Sequence, residues 1–235
     1  MKNVLVCKNC KYENPYYVWI CNNCNSYLRE RIFNIDLWNV LGLLIYEPQK
    51  GYGIIIQSEH KNFIFPIFLF VSIKLFIDSM FIALLNFKNE PFLGNVIIHF
   101  LIVFSTLLAV VLLFVLILTL LNNFLGLNTR FRDNLSILVY SLIPHIFALI
   151  LLFTVELTVF GGSLFSNNPS PFSIKEFLAY TFLAFEGIIV VWGIILGINA
   201  VYSQSKNTLY SIITGTIFNL VLYFSLYINS IYLFK

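Results

Sequence analysis

Cys7-Lys8-Asn9-Cys10 and Cys21-Asn22-Asn23-Cys24 carry all four cysteines of the chain, in the order C-x2-C-x10-C-x2-C. Each CxxC can present two thiolates from one tight turn, and two such turns complete a tetrahedral zinc site with Zn–S of about 2.3 Å. Four ligands leave no open coordination position, so the expected Zn2+ is structural rather than catalytic. Two disulfides or a redox CxxC are the other readings of this spacing, and disulfides require an oxidising compartment. Tyr16, Val18, Trp19 and Ile20 predict a short hairpin turned at Asn14-Pro15. Lys11 and Asn25 follow the two CxxC pairs, where ribbons often place Gly because φ is positive. Asn tolerates that geometry and Lys is less comfortable there. So short a segment cannot build a core alone, so apparent zinc binding of about 10–16 kcal/mol is also its folding energy.

A second set of chemically capable residues lies inside long apolar runs. Lys74 and Asp78 are four apart, which puts both on one helix face. Glu186 sits near the middle of a later apolar run, where a lone carboxyl is expensive and a functional candidate by default. Pairing with Lys74, or protonation, is the expected remedy. His145 follows Pro144, which must kink or break its helix. Lys74, Asp78, His145 and Glu186 are the intramembrane polar candidates: the Lys74–Asp78 pair reads as a neutralised structural lock or as an ion or proton site, and His145 as a hydrogen-bonder that satisfies the kink rather than a base. His99 reads as an interfacial residue and Glu156 as lying near the far end of its run.

The elements that must position these residues are membrane spans. The stretch 91–129 contains no Asp, Glu, Lys or Arg, and its centre is almost wholly Ile, Leu, Val and Phe. A bilayer core needs roughly 20 apolar helical residues. The whole chain of 235 residues is 59% hydrophobic and 11% charged, against about 25% charged in soluble domains. Its mean hydropathy is +0.86. Too little polar surface exists to cover a soluble core of this kind. Five spans are predicted, at about 62–85, 93–121, 135–160, 174–202 and 209–234. In the first, apolar side chains favour insertion by about 7 kcal/mol and the two charges oppose it by about 6, so the charged pair must face other helices. Ahead of the spans, Phe33, Leu37, Val40, Leu41 and Leu44 recur at helical spacing, which predicts an amphipathic interfacial connector. A second short helix starts at Pro48 and runs to about Glu59, weakened by Gly51 and Gly53.

The fold class is therefore an all-α membrane protein, with five transmembrane helices behind a small β zinc ribbon. The expected domains are the ribbon at 1–28, the connector at 29–61 and the five-helix domain at 62–235. Lys2, Lys8, Lys11, Arg29, Arg31, Lys50 and Lys61 precede the first span, and Arg130, Arg132 and Lys206 fall on the same side. Only Lys88, Lys175 and Lys235 fall on the other. The positive-inside rule then predicts a cytoplasmic amino end and an outside or luminal carboxyl end. No cleavable signal peptide is expected, and Lys2 excludes N-myristoylation. A net charge of +3 gives no reason to expect nucleic acid.

Three stretches, in order, resemble the Yip1 family of five-span membrane proteins across about residues 38–234. They are Glu47-Pro48 with Tyr52 and Ile55, then Asp133-Asn134-Leu135 leading into Tyr140-Ser141-Leu142-Ile143-Pro144, then Trp192 through Leu196 to Tyr202 and Lys206. Val139 stands where that family often has Gly before the Tyr. The Asp-Leu-x-Gly-Pro segment of the eukaryotic trafficking members has no counterpart, so their binding of prenylated GTPases is not carried over. The ribbon-plus-bundle arrangement resembles prokaryotic, particularly archaeal, relatives. The resemblance implies a fold and no established chemistry. The leading expectation is a non-enzymatic, membrane-organising or trafficking-type scaffold whose partners are the lipid bilayer and a protein on the cytosolic face, with self-association left open. The alternative is a small-solute or ion transporter using Lys74, Asp78, His145 and Glu186. An enzyme ranks third, because no nucleophile elbow, HExxH helix or phosphate loop is present.

Overall fold

The computed structural model describes residues 3–87, 96–166 and 168–233. Lys2, Lys88, Lys235 and the expected start of the second span at 93–95 lie outside the described residues. Among the described residues, five helical stretches are long and apolar enough to cross a membrane: Ile64–Leu85, Val96–Phe124, Phe131–Phe165, Glu176–Ser205 and Thr208–Tyr232. Large apolar side chains on their outer faces are exposed, among them Ile97, Leu113, Leu120, Phe177 and Leu220. Water would not tolerate that much apolar surface on a monomer, and hydrocarbon does. The chain is a multi-pass membrane protein by length and composition of its helices.

The chain divides into two compact units, each taking part of every span. The first contains residues 1–65, 112–141 and 195–218. It opens with strands β1 (Val4–Val6) and β2 (Glu13–Pro15), paired antiparallel with Leu5 opposite Asn14. The expected hairpin therefore turns around the first CxxC and not at Asn14-Pro15. The reason is that Asn14 is fully buried and already used. Its side chain donates to the Tyr12 carbonyl at 3.0 Å and accepts from the Asn22 N–H at 2.8 Å.

Helix α1 (Leu37–Tyr46) starts at Asp36, whose carboxylate accepts from the Asn39 N–H. Helix α2 (Pro48–Gln57) starts with Pro at its first position. α1 packs on α2, and α2 packs on α5 (Phe131–Ser141). Gly51, Tyr52, Gly53, Ile55 and Ile56 are all buried, so the glycines of α2 serve close packing. Of these two short helices, α1 keeps an outward apolar face, with Trp38 81% and Tyr46 67% exposed. The end of α9 (Glu176–Ser205) meets the start of α10 (Thr208–Leu233) at Gly215, where a Cβ would lie 2.6 Å from the Ile198 nitrogen.

The second unit contains residues 66–111, 142–194 and 219–235. Here α3 (Ile64–Phe87) and α4 (Val96–Phe124) meet through edge-to-face rings, Phe68 on Phe104 and Phe76 on Phe100. Asn229 on α10 donates to Thr106 Oγ1 at 2.8 Å. The third span is broken after Ser141. It continues as α6 (Ile143–Phe147), a π-helical turn at Ala148–Leu152 and α7 (Phe153–Phe160). Pro144 supplies no N–H and sits in the first turn of α6, where none is needed. A 3-10 turn at Gly161–Phe165 and the short α8 (Pro171–Ile174) lead to α9. Phe160, Leu164 and Ala179 form the core at this end, with Phe81, Phe153, Phe172 and Phe182 around them.

Candidate functional site

The four Sγ atoms of Cys7, Cys10, Cys21 and Cys24 lie within 4.8 Å of one another, close enough to hold one metal ion. Both knuckles repeat one backbone pattern. Lys11 N–H donates to the Cys7 carbonyl and Asn25 N–H to the Cys21 carbonyl, each at 3.0 Å. Lys11 and Asn25 then take φ of 60° and 56°. The Lys11 conformation is the strained one. Cys7 and Cys24 sulfurs are 3.6 Å apart, as are Cys10 and Cys21, well beyond a disulfide length of about 2.05 Å. Ser26 Oγ lies 3.1 Å from both Cys7 and Cys24 sulfurs. That hydroxyl, then backbone N–H groups at Cys10 and Asn9, hold the Cys7 thiol down at about 6, where a thiolate ligand is available at neutral pH.

The cysteine head is fastened to helix ends of its own unit. Asn3 donates to the Ser203 carbonyl at 2.9 Å. The Arg130 guanidinium lies 3.9 Å from the Tyr17 ring centroid. Arg29 donates to the carbonyls of Tyr17 and Gln57, both at 2.9 Å. Arg31 grips Glu59 with two bonds of 2.8 Å, and this holds the Glu59 carboxyl below its usual range. Beside it lies an ion triad centred on the buried Asp133. Lys61 reaches Asp133 at 3.0 Å and also donates to the carbonyls of Ile55 and Ile56, while Arg130 reaches the same Asp133 at 2.7 Å. Burial pulls the Lys61 ammonium down to about 8, against the opposing pull of Asp133. Asp133, which falls between the second and third predicted spans, is in the first turn of α5 and 1% exposed.

The second unit brings together three of the four intramembrane candidates. Lys74, with no exposed side-chain surface, bonds Asp78 on its own helix and Glu186 on α9, the latter at 2.7 Å. His145 is not part of this ion cluster. Its Nδ1 is 3.1 Å from the Leu142 carbonyl, which can only accept, so Nδ1 carries the hydrogen. Nε2 is left to accept from the Tyr223 hydroxyl at 2.7 Å. The histidine thereby satisfies a carbonyl of the broken span and ties it to α10.

Glu156, read in the sequence as lying near the far end of its run, is in α7, four residues before its end. It is 4% exposed and lines the same cavity of about 280 Å³ as Asp78, Glu186 and Tyr223. The cost argument applied to Glu186 applies to it equally, and would have singled it out. No family model, curated protein or solved structure matches this chain.

Proposed function

We propose that the chain is a non-enzymatic membrane scaffold of the Yip1 type, whose metal-bound head forms a rigid cytosolic platform. The observation that carries this reading is the attachment of the head. Asn3, Tyr17 and Arg29 engage the Ser203 carbonyl, the Arg130 guanidinium and the Gln57 carbonyl, so the head is seated rather than tethered. Zinc is the metal of choice for this donor set. A tetrahedron with Zn–S of about 2.3 Å has edges of about 3.8 Å, close to the Cys7–Cys24 and Cys10–Cys21 separations of 3.6 Å, and all four sulfurs lie within 4.8 Å of one another. One zinc per chain by elemental analysis, lost in Cys21→Ser, is the expected result.

A fixed platform offers a protein partner the exposed rings of Tyr27 and Trp38, 79% and 81% exposed. Aromatic side chains of this kind carry much of the energy where proteins meet. Proximity labelling of the full chain against a Tyr27→Ala, Trp38→Ala variant tests the docking role. The variant should lose cytosolic neighbours; an unchanged set would remove this reading. The basic residues ahead of the first span support a cytosolic head.

A second reading, a small-solute or ion transporter, draws on the convergence of Lys74, Asp78 and Glu186 beside a cavity. Broken helices are common at transport sites. Flux into liposomes, compared among the native chain, Asp78→Asn and Glu186→Gln, decides it. Absent flux, or flux indifferent to both changes, would eliminate transport.

A further inference from the structure

The cavity of the second unit has more carboxylates than partners. Lys74 is the only cation bonded there among the described residues, and it is already bonded to Asp78 and Glu186. The third carboxylate, Glu156, is 4% exposed, and among the described residues no donor reaches its Oε2. A buried carboxylate without a donor is costly and calls for a proton or a cation. The space it borders is mostly hydrocarbon, with Phe81, Phe160, Phe172 and Phe182 in its wall; Asp78, Glu186, Tyr223, Ser166 and Ser170 are its other polar lining.

This composition selects among cations. Calcium takes 6–8 oxygen ligands and magnesium keeps several waters. Asp78 and Glu186 are already held by Lys74, the Tyr223 hydroxyl is bonded to His145, and most of the remaining wall is rings and aliphatic chains, so the cavity falls short of the oxygen shell that either ion needs. An organic ammonium fits both features. Its N–H groups match carboxylate oxygens, its charge is attracted to aromatic faces, and its hydrocarbon body occupies the apolar remainder. The volume of about 280 Å³, just below the roughly 300–1,000 Å³ of pockets for drug-sized molecules, suits a smaller ligand.

We propose that this cavity binds a small hydrophobic ammonium ion, with the charged head on Glu156 and the apolar body among Phe81, Phe160, Phe172 and Phe182. Glu156 is the group that meets the ligand, while Lys74 fixes Asp78 and Glu186 at the cavity's edge. The site requires no passage of solute across the membrane, so a negative flux assay leaves it standing and a negative binding assay does not.

The test uses the full chain in lipid nanodiscs, titrated calorimetrically with 4-phenylbutylammonium after subtraction of empty discs. The neutral twin 4-phenylbutan-1-ol reports what the apolar wall alone does. The expected result is saturable one-to-one binding of the ammonium, at least tenfold tighter than the alcohol, and weakened at least fivefold in Glu156→Gln. Equal affinity for the two probes overturns the proposal, as does the absence of saturable ammonium binding. A monodisperse Glu156→Gln chain that binds the ammonium within twofold of the native affinity also overturns it, because the carboxyl is then merely protonated. The comparison of the two probes on the native chain needs no variant to fold.

Discussion

Lys74 compensates two carboxylates at once, so its loss should be far worse than the loss of one acid. Removing one partner of a buried ion group leaves uncompensated charge and costs about 3–5 kcal/mol. Lys74→Met should lower stability in mixed-micelle unfolding by that order, and adding Asp78→Asn with Glu186→Gln should restore most of it. Equal stability of Lys74→Met and the triple variant would show that the acids never depended on the lysine. Lys61 yields a pH dependence. Its ammonium titrates near 8 in the fold against 10.5 ordinarily, so across that window the unfolded chain binds more protons. Stability then rises with pH between about 8 and 10.5 and is unaffected by this group below 8. The unfolding midpoint of the native chain should gain on Lys61→Met only in that window; a relative loss there would contradict the burial. The Lys74–Asp78 pair was legible because both lie on one face of a helix. The Lys61–Asp133 pair was not, because it joins the start of the first span to the start of the third, and no local spacing encodes that meeting.

At the scale of elements, small residues decide how closely helices approach, since lipid supplies little hydrophobic drive for their association. Gly215 abuts the backbone of Gly197 and Ile198, which cannot swing aside as a side chain would. Gly215→Ala should cost about 1–3 kcal/mol by overpacking. Gly193 is the control: a Cβ there would meet His145 Cε1 at 3.5 Å and Asn219 Oδ1 at 3.7 Å, ordinary contacts. Gly193→Ala should be neutral or gain up to about 1 kcal/mol from helix propensity. A tryptophan-free thermal assay on both variants in detergent separates the two outcomes. Hydropathy announced the five long helices without ambiguity, and Pro144 announced the break in the third. The burial of α2 was hidden, because Gly51 and Gly53 look like helix breakers until a neighbour needs the space they leave. Asn14-Pro15 misled for a similar reason: a turn dipeptide by type, it is a strand brace here because the thiol cluster claims its amide.

For the molecule as a whole, the metal and the bilayer stabilise different parts. Chelation should release the thiols of Cys7, Cys10, Cys21 and Cys24 and open residues 3–28 to protease, while far-ultraviolet helical signal stays near its native level. Loss of that helical signal on chelation would mean that the spans depend on the head.

The contact from Asn3 to the Ser203 carbonyl spans 200 positions of sequence. A ribosome emits roughly 5–20 residues per second, so the two partners are born about 10–40 s apart. Both cysteine knuckles can close as soon as Ser26 has emerged, whereas the final anchor of the head must wait for the fourth span. During that interval the nascent chain carries a finished head on an unfinished seat, and any factor that recognises the head alone has that time in which to act.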